Sequence, residues 1–154
     1  MARNGPMEML IDGAWVTAAS GATFTAESPA TGEPIGDVPE GDRDDARRAI
    51  EAANRAADSW GRTTAFERAA AMLRVADAID ERRDDLAHTL TLDQGKPLRA
   101  EAYDEVEELV LYWRMAAEDA KRLEGRLANS FSPGKRVLLV RRPRGVVGVI
   151  TPWN

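Results

Sequence analysis

The order of apolar and polar positions divides the chain into three stretches. Residues 8–40 alternate over short distances and break often, which predicts short strands and turns. Met9-Leu10-Ile11 is apolar, Asp12-Gly13 is a tight hairpin signal, and Ala14-Trp15-Val16 resumes the run. Thr23-Phe24-Thr25 predicts a further strand. Ser28-Pro29-Ala30-Thr31-Gly32 predicts a turn, and Ile35 and Val38 an extended piece punctuated by Pro34 and Pro39.

From Asp42 the period changes to that of a helix. Asp42 is an N-cap residue type, and Asp44 and Asp45 favour the positive end of the helix dipole. Ala46, Ala49, Ile50, Ala53, Ala56, Ala57 and Trp60 form the expected stripe, with Gly61 as the stop. Thr64-Ala65-Phe66-Glu67 matches a capping box. Phe66, Ala70, Leu73, Ala76 and Ile79 are the apolar face expected of the helix that follows. Asp84 is the expected cap of a third helix running through Leu86 and Leu90 and closing near Gly95. Pro97 suits the first turn of a fourth helix. Its stripe is Leu98, Ala102, Val106, Leu109, Trp113, Ala117 and Ala120, and Gly125 ends it.

The third stretch begins with a polar loop at residues 126–134 and a strand from Arg136 to Val140. Val146-Val147-Gly148-Val149-Ile150 has no polar alternation, so it reads as a strand buried on both faces, the habit of parallel sheets. Such a strand needs parallel partners, and only Thr151-Pro152-Trp153-Asn154 follow it. The expectation is an α/β fold whose parallel sheet is incomplete in a truncated chain. The alternative is a small α+β domain in which residues 146–150 pair with Arg136–Val140 or an early strand.

Composition narrows the chemistry. A length of 154 residues fits one domain, and 44% hydrophobic with 31% charged residues is globular rather than disordered. With no Cys, the chain has no disulfide framework, no thiolate metal site and no cysteine nucleophile. The single His88 leaves no basis for a histidine metal site. The net charge of -5 argues against nucleic acid as a partner. No apolar stretch follows Arg3, so no signal peptide is expected. Apolar runs such as Leu109 to Trp113 fall far short of the roughly 20 residues of a membrane span. The expected location is the cytoplasm.

Gly145-Val146-Val147-Gly148-Val149-Ile150-Thr151-Pro152-Trp153-Asn154 resembles the aldehyde dehydrogenase superfamily. Collinear stretches agree: Asp12-Gly13-Ala14-Trp15, then Ser28-Pro29-Ala30-Thr31-Gly32-Glu33 with Ile35 and Val38-Pro39, then Leu92-Asp93-Gln94-Gly95-Lys96-Pro97-Leu98. The resemblance covers nearly all of this chain but only about the first third of the family. It implies an α/β fold, the N-terminal part of the aldehyde dehydrogenase fold, with a helical layer and an incomplete parallel, Rossmann-like sheet. Residues 1–154 would be part of the cofactor-binding domain, about 131–144 would contribute to subunit-joining strands, and the catalytic domain would be absent.

The implied reaction is oxidation of a small-molecule aldehyde to an acid with NAD or NADP as the acceptor. In that scheme a cysteine thiolate attacks the aldehyde, hydride passes to the nicotinamide, and water releases the acid. Asn154 matches the family's oxyanion-hole asparagine, a neutral donor aimed where charge develops. Ile150, Thr151, Pro152 and Trp153 match positions lining the cofactor cleft. The cysteine and the glutamate base are missing, so this chain is expected to be inactive alone. It would act within a homo-oligomer when full length, or beside a complementary chain. The rival reading is a non-catalytic interaction module, or a remnant of a split or degraded gene that pairs with another chain.

Other polar residues carry weaker signals. Tyr103, Asp104, Glu107 and Glu108 lie on the fourth helix, which in the family borders the aldehyde entrance. Asp104 and Glu108, at i and i+4, would suit a cationic aldehyde, but a solvated helix face is the favoured reading. Lys135, Arg136, Arg141, Arg142 and Arg144 read as charges guarding a strand edge or a subunit contact. His88 reads as a packed or solvated helix residue. A phosphate contact through Lys96 is weighed against a helix entrance at Pro97.

Overall fold

Asp12 and Gly13 both take left-handed backbone angles, φ 55° and 77°. They therefore turn β1 (Met9–Ile11) tightly onto β2 (Ala14–Val16). The computed structural model describes residues 7–152. A second antiparallel hairpin joins β3 (Thr23–Glu27) to β4 (Pro34–Pro39), with a bulge between Ala26 and Glu27. The short strands predicted before residue 40 are all present.

Four helices follow. α1 (Arg43–Gly61) is capped by Asp42, whose carboxylate accepts from the amides of Asp44 and Asp45, while Asp45 reaches back to the amide of Asp42. Asp45 is only 3% exposed. Its oxygens also accept from the Ala19 amide at 3.1 and 3.2 Å and from the Arg48 guanidinium at 3.0 Å. That buried carboxylate fastens the loop after β2 to the start of α1, and its hydrogen bonds offset the cost of burying it.

α2 (Ala65–Glu81) begins with the predicted capping box of Thr64 and Glu67. α3 (Arg83–Gln94) follows after Arg82 alone, with no side-chain cap. The expected cap at Asp84 is thus corrected: Asp84 lies inside the helix and accepts a hydrogen bond from Tyr103 instead. Gly95 ends α3 in the left-handed region, φ 74°. A side chain there would also meet Pro29 Cγ at 3.1 Å.

Residues Leu98–Ala102 are π-helical and lead into α4 (Tyr103–Ala120). Pro97 is therefore the residue before a π turn rather than the first turn of an α-helix. A strand, β5 (Arg126–Asn129), replaces the first part of the expected 126–134 loop and pairs with β6 (Arg136–Leu139). Leu127, paired with Leu138, is part of an apolar ladder that a reading for loop residues passes over.

The core lies where α2 and α3 pack on α4 and on the π turn that leads into it, and is made mostly of small side chains. Ala69, Ala117 and Ala120 form one cluster with Met72 against it. Ala87, Ala102 and Val106 form a second, with Ile79, Leu86, Leu90, Leu98 and Tyr103 packed on it. On α2 the buried positions are Ala69 and Ala76; of the expected face, Ala76 is buried and Ile79 packs on the core, while Phe66 and Leu73 are exposed. On α4 Val110 is buried and Leu109 is exposed. The α1 stripe is uncovered too, with Ile50 and Trp60 both exposed.

All three two-stranded sheets are antiparallel, and no parallel pair occurs among the described residues. Val146–Ile150 is not a strand: it pairs with neither Arg136–Leu139 nor an early strand, and Ile150 is fully exposed. An apolar run forms a ladder only when neighbouring strands supply hydrogen-bond partners, and none of the described strands does. The self-contained α+β alternative fails on the same observation.

Candidate active-site segment

The segment expected to carry the chemistry begins where β6 ends. Residues 141–152 run without helix or strand, and all are exposed. Two contacts tie the start of this run to the body. Arg141 Nε donates to the Glu124 carbonyl at 3.2 Å. Pro143 packs on Gly61, where an added Cβ would lie 3.2 Å from Pro143 Cγ. Gly125, just before β5, has no room for a side chain, since a Cβ would lie 2.5 Å from the Leu139 carbonyl oxygen.

Ile150, Thr151 and Pro152 stand at the end of this run, exposed. Trp153 and Asn154 lie outside the described residues. Two open concavities exist elsewhere. One, of about 450 Å³, is lined by Asp80 to Asp85; the other, of about 500 Å³, is lined by Ala71, Arg74, Val75, Ala78, Ile79, Arg82 and Leu86. Neither includes the predicted cofactor-cleft residues. No cluster of three or more His, Asp or Glu suited to a metal is present among the described residues.

The polar residues of α4 separate into paired and solvated. Glu107 meets Arg83 at 3.3 Å, and Arg83 also holds Asp80 at 2.7 Å. Arg114 meets Asp80 at 3.5 Å and Asp77 at 3.6 Å. These pairs link α2, α3 and α4 across their exposed side, where each contributes little. Asp104 and Glu108 are exposed, as a solvated face requires. Burial raises the Tyr103 hydroxyl above its ordinary pKa, and its hydrogen bond to Asp84 adds to the effect. His88 meets Tyr103 edge-on with ring centroids 6.4 Å apart, and its Nδ1 lies 2.7 Å from the Asp84 carbonyl. His88 is exposed and shares no catalytic partner.

Lys96 is not available to a phosphate. Its side chain is 7% exposed, and its ammonium donates to both oxygens of Glu105 at 2.6 and 2.5 Å. The expectations for Lys96 did not include this buried pair. Its one sequence signal is an acidic residue nine positions after a lysine, across a Gly-Lys-Pro break. Of the basic cluster, Arg136 lies on β6, and Lys135, Arg141, Arg142 and Arg144 are exposed around it.

Comparison with known proteins identifies the family. The sequence profile of the aldehyde dehydrogenase family matches residues 15–154. The chain belongs to that family, and its architecture is an N-terminal portion of the aldehyde dehydrogenase fold. A glutarate-semialdehyde dehydrogenase of Pseudomonas aeruginosa is 44% identical over 144 residues, 94% of this chain and 30% of that protein. The NADP-dependent succinate-semialdehyde dehydrogenase of Escherichia coli is 40% identical over 147 residues, 96% of this chain and 30% of that protein. The crystal structure of succinate-semialdehyde dehydrogenase from Burkholderia pseudomallei superposes with a TM-score of 0.81 at 41% identity, covering 86% of this chain and 27% of that one. The chain thus spans about 30% of the length of the curated relatives it matches.

Proposed function

We propose that this chain supplies the N-terminal part of an NAD- or NADP-dependent dehydrogenase that oxidises a semialdehyde to a dicarboxylic acid. The observation that carries the reading is the family match, which runs through Pro152-Trp153-Asn154 to the last residue. Asn154 is the oxyanion donor: its side-chain amide stabilises the developing negative charge without titrating itself. Ile150, Thr151, Pro152 and Trp153 line the cofactor cleft. The nicotinamide accepts the hydride when bound.

The chain has no cysteine, so the nucleophile comes from the remainder of the enzyme, as does the glutamate base. This chain alone does not turn over aldehydes. The semialdehyde class is supported by the relatives of 44% and 40% identity, named for glutarate and succinate semialdehydes. Both substrates carry a distal carboxylate, so the exposed Asp104 and Glu108 are read as a solvated face rather than a cation site. The β5–β6 hairpin, with Leu127 and Leu138 exposed, lies beside and within residues 131–144 and suits a subunit contact.

A chimera tests the assignment. Residues 1–154 of this chain replace the matching part of the Pseudomonas aeruginosa relative, and aldehyde-dependent reduction of NAD and NADP is followed. Activity is expected, and Asn154→Ala in the chimera is expected to lower kcat by about 10²–10³. A folded chimera with no turnover, or an Asn154→Ala variant as fast as its parent, contradicts the reading.

A further inference from the structure

The Lys96–Glu105 pair brackets the only π-helical turn among the described residues. The Ala102 amide donates to the Pro97 carbonyl at 3.1 Å, and the Tyr103 amide donates to Leu98, each five residues back. The Pro97 carbonyl also accepts the four-back bond of the Glu101 amide at 3.1 Å, but the amides of Ala102 and Tyr103 bond five back where an α-helix would bond four back, so the π turn accommodates one extra residue. Removing that residue from the turn would rotate everything before it by about 100° about the α4 axis and shift it by about 1.5 Å. Lys96 would then be carried away from Glu105. Gly95, which sits against Pro29 and Ala30, would be carried off the turn at residues 28–32.

A π turn is intrinsically less favourable than the α-helix it interrupts and persists where its surroundings hold it. The ion pair supplies that hold. Both partners are largely withdrawn from water, with side chains 7% and 22% exposed, and one ammonium serves both carboxylate oxygens. Losing Lys96 takes the ammonium from a half-buried carboxylate, and losing Glu105 takes from the buried Lys96 the carboxylate it meets with both oxygens, a penalty that the α register would relieve by carrying Lys96 toward solvent.

We propose that Lys96 and Glu105 form a clasp that selects the π register, making them positioning residues for α4 and for the turn at residues 28–32. The inference goes beyond the reaction assigned above and does not depend on it. The test uses the full 154-residue chain and reads backbone hydrogen bonds directly, by through-hydrogen-bond NMR couplings and amide exchange. In the wild type, Ala102 couples to the Pro97 carbonyl carbon. In Glu105→Gln and in Lys96→Met, the coupling is expected to move to Leu98, and amides 101–103 to exchange about tenfold faster or more. The amides of Ala69 and Ala76 in α2 are expected to keep their protection. The exchanged pair Lys96→Glu with Glu105→Lys is expected to restore the Pro97 coupling. Single variants that keep that coupling and their exchange rates overturn the proposal. So does a uniform loss of protection through α2 and α4 that the exchanged pair does not recover, because the ion pair is then a general stabiliser and selects no register.

Discussion

Glu67 holds its proton less tightly than an ordinary carboxylate because the Thr64 amide and hydroxyl both donate to it. Its folded pKa lies below the ordinary 4.5. The folded state therefore binds this proton more weakly than the unfolded state. The capping contribution is complete above about pH 4.5 and is lost as pH falls through the lower folded value. Thr64→Ala removes the hydroxyl half of the box, leaves the residue-64 amide donating to Glu67, and is expected to lower unfolding stability by about 1 kcal/mol at neutral pH. It should flatten the dependence on pH below that window only in part, because the backbone amide is the larger cause of the lowered Glu67 pKa, and denaturant melts across acidic pH would show this. Such boxes are legible in sequence because donor and acceptor lie three residues apart. Asp84 was legible as a cap by the same local rule, yet its carboxylate is taken by Tyr103 from another helix. Asp45 and Lys96 escaped for the same reason: their partners Ala19 and Glu105 are 26 and 9 residues away.

At the scale of elements, periodicity locates the helices and most of the buried stripe of α4, whose Ala102, Val106, Ala117 and Ala120 are buried, but the face of α2 only in part. On α2, two interleaved sets of apolar residues compete. The expected set of Phe66, Ala70, Leu73, Ala76 and Ile79 is buried only at its C-terminal end, at Ala76 and in part Ile79, whereas Ala69 with Met72 meets α4 nearer the N-terminus. The close helix contact selects small side chains, since side-chain size sets how near two axes come. Ala76→Leu is expected to cost about 1–3 kcal/mol through overpacking, whereas Leu73→Ala, at 38% exposure, should cost well under half of that. Denaturant melts of the two variants give the order, and a reversed order would reassign the buried face. The strand at Val146–Ile150 was a statement about partners, not propensity. Its residues suit a central strand, but a ladder needs neighbours that the described part of the chain does not provide.

The whole molecule exposes 12290 Å². A compact monomer of its 16.8 kDa would expose about 7,700 Å². The excess is concentrated in recognisable faces: the Ile50 and Trp60 side of α1, the Phe66 side of α2, the β5–β6 hairpin and the run from Val146 to Ile150. Exposed large apolar side chains in this number are what a surface that meets further protein carries. That agrees with a chain spanning about 30% of its relatives. The fold class is readable in the sequence because its signals are local, whereas the proposed site residues Ile150, Thr151 and Pro152 end an exposed run with no helix or strand packed around it. The most direct test is made on the polypeptide carrying this sequence, captured from its source cells with an antibody to α1. Its complex is assayed for semialdehyde-dependent reduction of NAD and NADP. The account predicts turnover, with the cysteine nucleophile located in protein beyond these 154 residues. A captured complex that binds a specific partner yet reduces neither cofactor would contradict it and establish the chain as a non-catalytic interaction module.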